Sequence, residues 1–119
     1  MIIPQKSNQK LMIVVNEFKI AKEKKYPIKG IRGDIDYLLA RYEFEKQKDG
    51  WYLGTVESCR KLLGIVSSNS FLIDNLSTFI WWDTQTNLYT DCLQEYAQYL
   101  EERRKLNLND LPKMVHCST

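Results

Sequence analysis

The sequence predicts an all-α domain of about five helices with one short strand. Apolar residues recur at three- and four-residue steps along most of the chain. Good capping residues stand where those stripes begin. Only Trp51-Tyr52-Leu53 is too short for a helix and too apolar for a loop. With 119 residues the chain makes one domain, residues 1–119, and its fourteen aromatics supply the bulk for a small core.

Ser7 caps a first helix reaching about Lys24, in which Leu11, Val14, Val15, Phe18 and Ala21 form one stripe. Tyr26 to Gly30 breaks it through Pro27 and Gly30. Asp34 caps a second helix that buries Ile35, Leu38, Leu39 and Tyr42. Lys48-Asp49-Gly50 is a turn leading into the short strand. Thr55 then caps a third helix from Val56 to Leu63, which Gly64 ends. Ser67 or Ser68 opens a fourth helix running to about Trp82. A polar connector, Asp83 to Asn87, precedes a fifth from Leu88 to the Arg103-Arg104-Lys105 end. Residues 107–119, with Pro112, read as a flexible tail.

The chain offers little catalytic material. Its single His, His116, sits in the expected tail beside Cys117, and neighbours on an extended chain point apart. Cys59, Cys92 and Cys117 lack the local chelating pair typical of zinc sites, and an odd, widely spaced set is no disulfide framework. No phosphate loop, dinucleotide fingerprint or nucleophile elbow occurs. Gly30-Ile31-Arg32-Gly33 matches a Gly-x-x-Gly backbone clamp in form, and reads better as a connector between helices. Neither enzyme activity, metal, cofactor nor small-molecule substrate is expected. The longest apolar run is five residues, Leu11 to Val15, so no membrane partner is expected either, and a cytoplasmic location follows.

Charge divides the chain. Residues 1–33 carry eight cations against two anions, whereas residues 34–119 carry nine against thirteen. Between Lys61 and Arg103 there is no Lys or Arg at all. Polyphosphate would be drawn to the first third and repelled by the later stretch.

One longer pattern is informative. DIDYLLARYEF followed by KDGWYLGTVESCRKLLGIVSSNSFLIDNLSTFI, within residues 34–82, resembles the winged helix-turn-helix of prokaryotic transcription and replication-initiation proteins. The resemblance implies a degenerate core of that kind, with Leu63, Gly64 and Ile65 at the turn and Ser68 to Leu76 in the major groove. The DNA-binding residues it implies are Ser68 and Asn69, with Arg60, Lys61 and the basic first helix (Lys19, Lys22, Lys24, Lys25) on phosphates. That implied reading helix has no cation, and Asp74 would oppose phosphate.

The preferred expectation is therefore protein binding. Trp and Tyr are favoured anchors of protein interfaces. Trp81, Trp82 and Tyr89, amid Asp74, Asp83 and Asp91, would suit another protein with a basic, apolar surface, or a homodimer. A small bacterial or phage regulator or inhibitor of the immunity or anti-defence kind fits, with plasmid or phage DNA binding as the alternative.

Overall fold

The computed structural model describes residues 8–118, with side chains to Leu106. Its elements run β1 (Gln9–Val15), α1 (Glu17–Glu23), α2 (Ile28–Arg41), β2 (Glu45–Lys46), β3 (Tyr52–Gly54), α3 (Val56–Ser67), α4 (Ser70–Ile73), β4 (Leu76–Asp83), β5 (Leu88–Asp91) and α5 (Cys92–Ser118). The fold is mixed α/β rather than all-α. An antiparallel sheet of five strands, in the order β2-β3-β1-β4-β5, forms its floor. The backbone of residues 107–118 continues α5, and their side chains, those of His116 and Cys117 included, lie outside the described residues.

Three of the expected helices give way to strands, each for a physical reason. Leu11, Ile13 and Val15 alternate with Lys10, Met12 and Val14, which buries one edge of the ribbon and leaves the other open. Ile13, Val14 and Val15 are β-branched and pack well on a pleated surface, so residues 9–15 form β1 and only 17–23 are helical. The same applies to Leu76–Asp83, where Thr, Ile and two Trp favour a strand. The presumed fourth helix thus shrinks to the four residues of α4. Residues 88–91, expected in the fifth helix, pair with β4 across the Thr84–Asn87 turn, whose Asn87 has φ 59°.

Local signals hold where a side chain can satisfy an orphan backbone group. Ser58 N–H donates to Thr55 Oγ1 at 3.1 Å, capping α3 where expected. Lys19 N–H donates to Asn16 Oδ1 at 3.0 Å, capping α1. Gly64 does not end α3, because Val66, fully buried, holds one more turn onto the core. Gly30 and Gly33 lie inside α2, which starts directly after Pro27.

All described helices contribute to one core. Ile20, Ile31, Ile35, Leu38, Leu39, Leu62, Val66, Leu72 and Cys92 meet Leu11, Ile13, Leu76 and Phe79 of β1 and β4 in a single cluster. The helices therefore lie on the face of the sheet that carries Leu11, Ile13 and Phe79. The opposite face carries Lys10, Met12 and Val14 of β1, with Thr78, Ile80 and Trp82 of β4 beside them. A register shift between Val14 and Val15 marks the far end of that pair.

Gly54 is fixed by a close approach. A Cβ there would stand 2.5 and 2.6 Å from two ring carbons of Phe44. Gly54→Ala is expected to cost about 1–3 kcal/mol in urea unfolding through overpacking. Adding Phe44→Leu should recover part of that loss. An unchanged midpoint for the single variant would show that the ring does not lie over Gly54.

Candidate functional site

Alternation along each strand builds the exposed face of the sheet row by row. Cross-strand pairing places Leu53 beside Lys10, Lys10 beside Trp82 and Trp82 beside Tyr89, with Glu45 beyond Leu53. In the next row Met12 stands beside Ile80, and Ile80 beside Asp91. No described helix residue joins these side chains in the core.

Three aromatic rings gather there. Trp82 stacks on Tyr89 with centroids 5.0 Å apart and planes at 10°. Trp51 meets Trp82 edge-on at 5.3 Å and Tyr89 at 6.4 Å. Such geometries match the ring quadrupoles and fix the cluster's shape. The Trp82 indole N–H donates to Asn87 Oδ1 at 3.1 Å, tying the ring to the β4–β5 turn. Tyr89 remains 57% exposed, so the cluster is presented to solvent rather than absorbed by the core.

A cation is seated at this cluster. The Lys10 ammonium lies 5.3 Å from the Trp82 ring centroid and 3.2 Å from Asp49 Oδ2. The Trp51 N–H donates to Asp49 Oδ1 at 3.0 Å. That hydrogen bond, with the Lys10 charge adding to it, holds the Asp49 carboxyl below its usual range.

The residues singled out from sequence are sorted by the fold into separate places. Trp82, Tyr89 and Asp91 share the exposed face. Trp81 does not: on a strand, adjacent residues point to opposite faces, so it stands on the core side of the sheet. Its indole N–H donates to Gln9 Oε1 at 2.6 Å while the ring packs against the core. Asp83 accepts from the Gln85 and Thr86 N–H groups at 2.9 and 3.3 Å. Partial burial raises its pKa, and hydrogen bonds from Gln9 and this turn outweigh that and lower it. Asp74 is far along the chain's other layer, capping α4, where its carbonyl accepts from the Lys19 ammonium.

The basic candidates are likewise dispersed. Lys19 and Lys25 line a small pocket with Glu23, Ser70 and Asp74. Lys22 is exposed on α1, and Lys24 is its left-handed C-cap. Arg60 is exposed on α3, where Lys61 stands 4.0 Å from Glu57. Ser68 caps the C-terminus of α3 and donates to the Gly64 carbonyl, while the Asn69 amide donates to that of Ile65. Both side chains are thus engaged by the turn.

Lys10, Met12, Leu53, Asp49 and Ile80 were not singled out by sequence reasoning. The available signal was the two-residue alternation in Gln9–Val15, which three- and four-residue spacing also fits.

Elsewhere, a groove of about 610 Å³ between α3 and α5 is lined by Leu63, Tyr96, Tyr99, Leu100 and Arg103 among others. Among the described residues no group of three His, Cys, Asp or Glu side chains gathers as a metal site. No described helix is long and apolar enough to cross a membrane.

Cys59 and Cys92 are buried, and burial first of all pushes both thiols from 9.0 up to about 12. At pH 8 both are expected to resist iodoacetamide in the folded chain and react in urea, as peptide mapping would show. A folded-state pKa above the unfolded one means that stability is full below about pH 9 and falls as pH rises towards about 12. Equal alkylation with and without urea would place these thiols outside the core.

No family model matches the chain, and neither does any curated protein or solved structure.

Proposed function

We propose that the chain is a non-enzymatic protein-binding regulator or inhibitor that docks its partner on the face of the sheet turned away from the described helices. The observation that carries this reading is the contact cluster of Trp51, Trp82 and Tyr89 on that face. Large rings in fixed geometry bring much contact area with little ordering cost, which suits interface anchors. Met12, Val14, Leu53 and Ile80 continue the apolar surface around them.

Charge favours polypeptide over polyphosphate at this place. Among the described strand residues of this face Lys10 carries an ammonium, already paired with Asp49, whereas Glu45 and Asp91 are carboxylates. Phosphate would find little to neutralise it there.

A second reading, a winged helix-turn-helix DNA binder, has Lys19 and Lys25 in one pocket with Ser70 of α4, but Glu23 and Asp74 line the same pocket and oppose phosphate. One experiment separates the two. The tagged chain and its Trp82→Ala variant are used to capture proteins from the source cells, and both are tested on random duplex DNA at two salt concentrations. Protein docking predicts a discrete partner held by the wild type and lost by the variant, with no shifted duplex. A duplex complex that weakens steeply with salt, or capture indifferent to Trp82, would overturn the reading in favour of DNA or of another surface.

A further inference from the structure

Leu88 and Tyr89 are neighbours on β5, point to opposite faces of the sheet, and are 65% and 57% exposed. A body resting on one face could cover only one of them. A strand laid alongside β5 would touch both. β5 ends the sheet, and among the described residues nothing pairs with its outer side. Its four residues, Leu-Tyr-Thr-Asp, hold no Lys, no Pro and no bulge, and its edge charge is the carboxylate of Asp91, which disfavours a second acidic strand more than a basic one.

The chemistry of the neighbour is set by charge. The β4–β5 hairpin carries Asp83 and Asp91, and no Lys or Arg occurs between residues 62 and 102. A second copy of the chain would bring the same carboxylates to the edge. A basic segment would complement them. The sheet already contains the arrangement in question: Lys10, on the strand beside Trp82, holds its ammonium over that ring and against Asp49. On the outer side of the row stand Tyr89 and Asp91, two residues apart on β5, an aromatic ring and a carboxylate, one of whose oxygens accepts from the Gln94 N–H at 3.1 Å.

We propose that β5 is a docking edge for an extended basic segment of another protein. That segment joins the sheet as a sixth strand and sets a Lys or Arg side chain beside Tyr89 and Asp91. The proposal rests on the protein-binding reading above and goes further by naming the mode and the charge of the partner. A residue directly opposite Tyr89 has its Cβ about 5 Å away, within reach of both groups.

The test pans a random peptide library against the full chain and studies the enriched sequences as synthetic peptides. The expected peptides alternate Lys or Arg with apolar residues and slow amide exchange at Leu88–Asp91. Replacing their cation with Gln, or using the chain with Tyr89→Ala or Asp91→Asn, weakens binding about tenfold. Asn at 91 keeps an oxygen for the Gln94 N–H that Asp91 now accepts, so α5 stays capped. Peptides lacking a cation, or ones that protect β1 and β3 but not β5, overturn edge docking and leave the protein-binding reading standing. A library with no binders also overturns it, while the capture experiment decides the broader reading separately. A dimer in sedimentation that is lost with Tyr89→Ala overturns it in favour of a second copy.

Discussion

Phe79→Ala is expected to lower the unfolding free energy by about 3–5 kcal/mol, the largest stability effect of any single truncation named here. Phe79 is fully buried at the middle of β4, opposite Ile13 on β1 and within the cluster that joins sheet to helices. Removing the ring loses its burial and opens a cavity that surrounding elements fill only in part, since several of them meet there. Ile80→Ala, one residue along on the exposed face, should cost clearly less. Urea unfolding followed by tryptophan fluorescence and by circular dichroism gives both numbers. Equal losses for the two variants would mean that the helices do not all lie on one side of the sheet.

On the protein-docking function proposed above, Trp82→Ala is expected to weaken partner binding by about 2 kcal/mol or more, roughly thirtyfold, while changing stability less than Phe79→Ala does. The ring has two aromatic neighbours, accepts a cation on its face and donates one hydrogen bond, so its loss leaves only the Trp51–Tyr89 contact of the cluster. Trp82→Phe keeps a ring for Tyr89 to stack on and should retain part of the affinity. Titration calorimetry with the captured partner measures both, with thermal unfolding as the control. Full affinity in Trp82→Ala would remove the cluster from the interface.

The start of α3, the Lys48–Gly50 turn and the strand after it were legible because each carries a local signal, whereas α2 begins at Ile28 behind Pro27 and the expected cap, Asp34, lies inside it. Thr55 is such a signal, a hydroxyl that caps wherever the following residues turn. The sheet was not legible in the same way. Leu11, Val14, Val15 and Phe18 satisfy a helical period, yet Leu11, Ile13 and Val15 also satisfy a strand period. The decision falls to residues more than sixty positions away, since β1 pairs with Leu76–Asp83. Nothing near residue 10 in the sequence records that partner. The site shared this fate. Aromatic excess pointed to Trp82 and Tyr89, whereas Lys10 and Asp49 join them only through long-range pairing.

The side-by-side tryptophans of β4 make the chain unequally tolerant of changes in length. Losing or gaining one residue between Leu76 and Trp82 would exchange the interior and exterior sets of that strand, moving Phe79 out and Ile80 in. Losing or gaining two would restore the order with only the ends displaced. Descendants of this sequence should accordingly differ in this strand by even steps, and carry odd ones in the Thr84–Asn87 turn, where parity has no meaning.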